Sequence, residues 1–167
     1  QERLFKRLIE GSLIDREEIV QRIDFLKLNI VLSDYYFLIN IELDRKARES
    51  GDGQEIKHSE IKELLIVDRV NDLYHDKYNI YNIADGENLI LILNKNKPIF
   101  YQESLTIADN IQKIIKEVTG QEATIGISNQ VNTLAELYQC YQQSQLALKK
   151  RFFLGTGEII HIEDVEA

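Results

Sequence analysis

Two apolar stretches joined by a short polar turn place the strongest constraint on the fold of this chain. Tyr78 to Ile83 favours a strand, and Leu89 to Leu93 reads LILIL, a second strand-like run. Between them, Asp85-Gly86 is a dipeptide typical of two-residue hairpin turns. The second stretch is apolar on both faces, which indicates an interior position in a sheet. The sequence therefore predicts an antiparallel hairpin whose second strand is covered on both sides.

The periodicity of the flanking segments predicts further strands and helices. Phe37 to Asp44 alternates apolar and polar residues, which indicates a strand with one buried face. Ser104 to Thr119 has apolar residues at helical spacing and is followed by Gly120, a typical C-terminal cap. The other predicted elements are helices from Asp15, Ser59 and Thr133 and strands over Ala123 to Ser128 and Glu158 to Ile162. This order predicts an α+β sandwich, in which helices pack against one mainly antiparallel sheet.

We expect the chain to form one globular unit with two parts. Residues 1–34 are predicted to be an N-terminal helical lead-in, with a short amphipathic turn before a helix of roughly Asp15 to Leu28. Residues 35–167 are predicted to be the main domain. The segment Arg45 to Ser59 is rich in charged residues and glycine and is interpreted as a solvated loop, with an interdomain linker as the alternative.

Composition and charge exclude several classes of protein. The 167 residues include 20 Lys and Arg against 28 Asp and Glu, and a net charge of −8 does not suit a domain that grips a nucleic acid backbone. Cys140 is the only cysteine, so an internal disulfide is excluded. No apolar run reaches the roughly 20 residues of a membrane span, and the N-terminus does not resemble a signal peptide. Because the first residue is not Met, we expect a piece of a longer protein.

The order of elements and several local strings resemble the GGDEF superfamily, which has the diguanylate-cyclase (nucleotidyl-cyclase) fold. The matching strings are YFLINIELD for the first strand, YNIYNIADGENLILIL for the hairpin and TIGIS for a later strand. The resemblance extends from about Tyr35 to His161. It implies a GGDEF-like domain with a ferredoxin-like core, in which the hairpin occupies the place of the catalytic signature.

The later part of the chain also resembles the middle region of bacterial AraC-type transcription regulators. The strings that carry this resemblance are IGIS, YQCYQQSQLALKKRFFLG and the acidic tail IHIEDVEA. It implies a domain between an upstream sensing or receiver part and a C-terminal helix-turn-helix domain that binds DNA. The implied partners are those flanking domains and a second copy of the chain. The implied location is the cytoplasm, and this domain itself is expected to contact neither nucleic acid nor a membrane.

The hairpin departs from the signature of active cyclases. Active members of the family that this chain resembles join two GTP molecules and hold a divalent metal with carboxylates from the first strand and the hairpin. Here the two signature glycines are replaced by Ala84 and Asp85, and the metal-binding acid is replaced by Gly86. Glu87 alone agrees, and Asn88 replaces an aromatic residue. We therefore expect a degenerate, non-catalytic domain, with no catalytic, metal-binding or cofactor-binding residues.

Four side chains would line the remnant of the nucleotide cleft: Asn40, Glu42, Asp85 and Glu87. The leading hypothesis is that the domain relays a signal within a regulator, through dimerisation or a conformational change. The alternative is a sensor that binds a small molecule or nucleotide in the former cleft. Acceptor-rich side chains at a net charge of −8 suit an anionic phosphate poorly unless a metal intervenes, which favours the relay.

Overall fold

A five-stranded sheet lies between two layers of helices in the computed structural model, which describes residues 1–43, 53–150, 154–155 and 157–165. The strands are β1 (Tyr35–Leu43), β2 (Asn79–Asp85), β3 (Asn88–Lys95), β4 (Ala123–Ile127) and β5 (Ile159–His161). The helices are α1 (Glu2–Glu10), α2 (Arg16–Phe25), α3 (Gly53–Tyr74), α4 (Tyr101–Thr119) and α5 (Leu137–Lys149), with 3₁₀ helices at Leu134–Glu136 and Ile162–Asp164. None of the helices in this described part is long and apolar enough to cross a bilayer.

The strand order confirms the predicted α+β fold. The order is β2-β3-β1-β4-β5, and the pairs are antiparallel except for β4 with β5, which are parallel. The segment from β1 to β4 follows the β-α-β-β-α-β order of a ferredoxin-like core. Helix α5 then crosses the sheet and adds β5 at the edge beside β4. The sheet is therefore mainly antiparallel and packed by helices, as predicted.

Strand β1 is buried on both faces, so the prediction of a single buried face is wrong. Phe37, Ile39 and Ile41 face a core that includes residues of α3 and α4. Tyr36 and Leu38 face a second core that includes residues of α1, α2 and α5. Because β1 lies in the middle of the sheet with helices on each side, both of its faces are largely covered. The LILIL segment in β3 is buried on both faces too, which confirms its predicted interior position.

The hairpin turn lies one residue later than the sequence indicated. Asp85 pairs with Asn88, so the two turn residues are Gly86 and Glu87 rather than Asp85 and Gly86. Gly86 has φ +61°, a conformation that glycine adopts without a steric cost. Glycine with positive φ at the first central position is typical of a type II′ turn. As a result, Asp85 belongs to the end of β2 and its side chain has a defined face.

The first 34 residues pack directly on the sheet. The segment predicted as a short amphipathic turn is the helix α1, and Leu4, Phe5 and Leu8 on it are buried in the second core. Helix α2 begins at Arg16, directly after the predicted start at Asp15, which caps it: the Asp15 carboxylate accepts a hydrogen bond from the Glu17 N–H at 3.0 Å. The division of the chain at residue 34 stays a prediction.

Only part of the predicted loop Arg45 to Ser59 lies within the residues that the structure describes. Residues 44–52 lie outside the described part of the chain. From Gly53 onward the backbone is helical, so α3 begins six residues before the predicted start at Ser59. Its packed part lies further along the helix, where Ile66 and Val70 are in the core.

Candidate functional site

A row of polar residues crosses four neighbouring strands at one end of the sheet. Asp85 lies opposite Asn88, Asn88 lies opposite Glu42, and Glu42 lies opposite Thr124. Residues directly opposite each other in a sheet present their side chains on the same face. Asn40 lies two residues from Glu42 on β1 and therefore faces the same side. Three of the four predicted cleft residues thus share one face.

Asn40 connects two strands and a helix through its side-chain amide. It is 1% exposed, and its Oδ1 accepts a hydrogen bond from the Nδ2 of Asn88 at 2.9 Å. Its own Nδ2 donates to the Oγ of Ser144 on α5 at 3.3 Å. The Ser144 hydroxyl in turn donates to the carbonyl oxygen of Tyr141 at 2.7 Å. The donor and acceptor of this buried amide are therefore both engaged within the fold.

Asp85 is tied to the same helix. The hydroxyl of Tyr141 donates to its Oδ2, and the Nε2 of Gln145 donates to the Tyr141 hydroxyl oxygen at 3.0 Å. Burial, followed by the hydrogen bond to Asp85, raises the pKa of Tyr141 well above its usual value. The phenol therefore stays protonated and keeps its role as a donor. The last residue of β2 and the middle of α5 are held together by this contact.

The remaining two predicted cleft residues differ in their surroundings. Glu42 is half-buried in the polar row between Asn88 and Thr124. Glu87 is exposed in the hairpin turn, beyond the end of the row. The structure therefore brings Asn40, Glu42 and Asp85 onto one face and leaves Glu87 outside that group.

This group does not fit the divalent metal that the fold implies. The oxygen of Asn40 already accepts from Asn88, and Gly86 supplies no carboxylate at the turn. Within the ranges that the structure describes, no group of three or more His, Cys, Asp and Glu side chains could hold a metal ion. Hard cations need several oxygen ligands around one point, so we derive no chemistry through a metal here.

The approach of α5 to the sheet depends on Gly126. A Cβ atom at this position would lie 2.4 Å from the carbonyl oxygen of Ser144 and 3.0 Å from the Cγ of Leu148. The helix backbone therefore rests directly on β4, which places Ser144 and Tyr141 over the polar row. Sequence reasoning missed these two helix residues as partners of the row. An isolated glycine within a strand pattern, as in TIGIS, is the signal that indicates such a close approach.

Replacing Asn40 with alanine should lower the free energy of unfolding by about 2 kcal/mol, because Asn88 and Ser144 would lose their buried partner. Chemical denaturation of the variant and of the parent chain measures this difference. Asn82→Ala is the matched control, since Asn82 is exposed on β2 and its loss should change stability by less than about 0.5 kcal/mol. Equal effects of the two substitutions would contradict the role of Asn40 as a connection.

A second polar group lies at the opposite end of the sheet. His161 ends β5 opposite Ile127, is 3% exposed, and its Nδ1 accepts a hydrogen bond from the Glu163 N–H at 3.1 Å. Its ring lies beside that of Tyr101, with centroids 4.7 Å apart, and the Tyr101 hydroxyl donates to Asp164 at 2.8 Å. Burial lowers the pKa of His161, and the neighbouring Glu163 and Asp164 oppose this only in part. The imidazole is therefore neutral at neutral pH.

His161 should make stability depend on pH. Because its folded pKa is lowered, its contribution is complete above the ordinary histidine pKa of about 6.5 and is lost as the pH falls towards the folded pKa. Below that range the folded state must accept a proton that burial disfavours. Unfolding measured between neutral and mildly acidic pH should show a steeper loss for the parent chain than for His161→Asn. Parallel pH profiles for the two proteins would contradict this assignment.

Comparison with solved structures shows the fold. The active GGEEF domain of a diguanylate cyclase from Vibrio cholerae is 13% identical, with a TM-score of 0.58 over 97% of this chain and 96% of that one. The diguanylate cyclase SiaD from Pseudomonas aeruginosa, solved with its activator SiaC, is 13% identical, with a TM-score of 0.60 over 95% of this chain and 56% of that one. A regulator of polyketide synthase expression from Bifidobacterium adolescentis is 13% identical, with a TM-score of 0.53 over 93% of this chain and 51% of that one.

Sequence comparison establishes the family. No curated protein matches this chain. The family of GGDEF-like domains matches residues 10–149, which is most of the chain and includes every strand of the ferredoxin-like core. The match begins before β1, within the helical region that packs on the sheet. This chain therefore belongs to the family of GGDEF-like domains.

Proposed function

We propose that this chain is a non-catalytic regulatory domain that relays a signal within a bacterial transcription regulator of the AraC type. The observation that carries the proposal is that side chains of the polar row are hydrogen-bonded to other parts of the fold. Asn40 is bonded to Asn88 and Ser144, and Asp85 is bonded to Tyr141. Side chains at the place of the family's nucleotide chemistry thus hold helix α5 on the sheet.

The sequence of the hairpin supports the same proposal. The signature positions hold Ala84, Asp85 and Gly86, so the glycines and the metal-binding acid of an active cyclase are replaced. The type II′ turn makes use of Gly86 for its positive φ. One solved protein of similar fold is a regulator of polyketide synthase expression. This hairpin is suited to holding the fold together rather than to binding a triphosphate.

The route of the relay would run through the second core. Ile19 and Ile23 of α2 are buried there together with Leu137 and Cys140 of α5. Helix α5 in turn contacts the 3₁₀ helix Ile162–Asp164 near the end of the chain. A shift of α2 caused by an upstream part would therefore reach the downstream end through packed side chains.

The proposal includes the partners of the domain. The upstream sensing or receiver part would act on α2, and the downstream helix-turn-helix domain would follow Ile162–Asp164. A second copy of the chain is the third proposed partner. The parent regulator would work in the cytoplasm, where DNA is accessible, while this acidic domain would itself touch neither DNA nor a membrane.

Incubation with GTP and Mg²⁺ tests the non-catalytic part of the proposal. We expect no cyclic dinucleotide, and its formation would overturn the proposal. Thermal unfolding with GTP–Mg²⁺ or a cyclic dinucleotide tests the alternative, a sensor in the former cleft. A ligand at about 100 times its dissociation constant adds about 2.7 kcal/mol, which raises the Tm of such a domain by about 5–10 °C. We expect no rise; a rise that Glu42→Gln abolishes would favour the sensor.

Substitutions on the outer side of α2 test the relay in the full regulator. Phe25 is 85% exposed, so Phe25→Ser should leave the stability of the domain unchanged. We expect it to reduce the response of a reporter gene to the signal. Leu73→Ser on α3 is the control, because Leu73 is also exposed but lies on the other helical layer. If Val20, Phe25 and Leu26 can all be replaced without an effect on the response, the relay through α2 is wrong.

A further inference from the structure

Among the described strands, β2 and β5 lie at the two edges of the sheet, and they differ in length. Strand β5 has three residues, whereas β2 has seven. Very short strands, prolines, lysines and bulges are the usual means by which proteins prevent a sheet edge from pairing with another strand. Strand β2 contains neither proline nor lysine, and its register with β3 is continuous from Asn79 to Asp85. The β2 edge therefore lacks the usual protection.

The hairpin determines which backbone groups of β2 point outward. Asp85 and Asn88 flank the two-residue turn, so they form a hydrogen-bonded pair. Hydrogen-bonded pairs alternate along an antiparallel ladder, so Ile83 and Tyr81 also direct their N–H and C=O groups to β3. The residues between them direct the same groups away from the sheet. These outward residues are Ile80, Asn82 and Ala84.

The outward backbone groups have no partner in the part of the chain that the structure describes. No other described residue forms a hydrogen bond with the backbone of Ile80, Asn82 or Ala84. Asn82 and Ala84 are exposed, and Ile80 is half-buried. Water satisfies such groups, and a second strand can take its place without breaking any bond of the fold. Three N–H and three C=O groups are therefore available on one edge.

Two copies of β2 match each other when they run antiparallel about a two-fold axis at Asn82. Asn82 then lies opposite Asn82 of the second copy, and Ile80 lies opposite Ala84. All three outward residues of each copy pair in this register, which gives six main-chain hydrogen bonds, about the number that a short antiparallel ladder forms. A shift of the register by two residues would leave one outward residue of each copy unpaired. The edge is therefore self-complementary, as a two-fold interface requires.

The charges at the two ends of β2 favour the antiparallel orientation. The hairpin end carries Asp85 and Glu87. The other end has Asp76 and Lys77 just before the strand, and Lys95 on the adjacent end of β3. Antiparallel pairing brings the acidic end of one copy to the lysine-containing end of the other. Parallel pairing would instead bring the two acidic ends together, which like charges oppose.

We infer that two copies of this chain associate through β2, in antiparallel orientation, and join their five-stranded sheets into one continuous sheet. The inference rests on the part of the proposed function that names a second copy as a partner. It depends neither on the route through α2 nor on the absence of catalysis. Main-chain hydrogen bonds with little apolar contact make a weak and reversible association. A signal that changes the local concentration of the domain could therefore form or release it.

Sedimentation of the 167-residue chain over a concentration series up to millimolar tests the association. We expect the mass to rise from the 19.5 kDa of one chain towards twice that value. In the same series, the amides of Ile80, Asn82 and Ala84 should become protected from hydrogen exchange. Those of Tyr81 and Ile83, which are bonded to β3, should be protected throughout. A chain that stays monomeric would overturn the inference and leave this edge to an extended segment of another protein, while the reporter-gene test of α2 would be unaffected.

Charge changes at Asn82 test the position of the two-fold axis. Asn82→Lys and Asn82→Glu each place like charges directly opposite each other, so each variant alone should raise the dissociation constant about tenfold. An equimolar mixture of the two variants should associate at least as well as the parent chain, because opposite charges then meet. Since Asn82 is exposed, both variants should fold normally, which circular dichroism checks.

Asn82→Ala is the matched control, because the main-chain hydrogen bonds do not need the side chain. It should associate as the parent chain does. If the parent chain dimerises and both charged variants dimerise equally well, pairing through β2 is wrong, although a second copy would still be a partner through another surface. Weaker association of each charged variant, with recovery in the mixture, would support the inference.

Discussion

Replacement of Gly126 by alanine should lower the free energy of unfolding by about 3 kcal/mol, at the upper end of what overpacking in a core costs. The added methyl group would lie 2.4 Å from the carbonyl oxygen of Ser144, a backbone atom that cannot move without displacing α5. Displacement of the helix would also disturb the hydrogen bonds of Asn40 and Asp85. Denaturant-induced unfolding followed by circular dichroism measures the change.

Gly120→Ala is the matched control for this experiment. Gly120 caps α4 with φ +72° and has no atom within 4 Å of an added Cβ. Its substitution should cost about 1 kcal/mol, from backbone conformation alone. Gly126 has no positive φ, so any larger loss there comes from contact with α5. If the two variants lose the same stability, the close approach of α5 to β4 does not require glycine at position 126.

Replacement of Phe5 by alanine should cost about 3–5 kcal/mol, the usual range for removing a buried phenyl ring. Phe5 is 1% exposed, and its ring stacks on Tyr81 of β2 with centroids 4.3 Å apart. A loss of this size would show that α1 is part of the folded core and that residues 35–167 are not a complete unit. The measurement is again the free energy of unfolding.

Phe25→Ala makes the same chemical change at an exposed position. Phe25 is the last residue of α2, so its loss should alter stability by less than about 0.5 kcal/mol. A difference of several kcal/mol between the two variants would assign the N-terminal region to the domain. Equal, small effects would favour a loosely attached lead-in over residues 1–34.

The fold was predictable where the pattern is local. The LILIL strand and the helix from Ser104 to Thr119 each show their periodicity within a short segment of sequence. Both occur as predicted, although α4 begins three residues earlier, at Tyr101. The hairpin was also predicted, but the position of its turn was not. Pairing of Asp85 with Asn88 fixes that position, and pairing is a property of two strands rather than of a dipeptide.

The candidate site was less predictable because its contacts join distant parts of the chain. The alternating polar residues Asn40 and Glu42 led to the prediction that β1 has one solvated face, since such residues usually point to water. In the structure that face is covered by α5, and Ser144 supplies the hydrogen-bond partner that offsets the cost of burying Asn40. The helix pattern around Tyr141 indicated packing but not its bond to Asp85. A partner of this kind becomes visible only when the sheet and the helix are brought together.

The central position of β1 has a consequence for how the chain acquires its structure. Ile41 of β1 pairs with Leu89 on one side and with Ile125 on the other, so both neighbours are synthesised long after it. Contacts between residues far apart in sequence slow folding, and an unpaired strand with exposed apolar side chains is prone to aggregate. A fragment that stops before β4 would leave one edge of β1 open. Productive folding of this domain therefore depends on synthesis having passed Ile127.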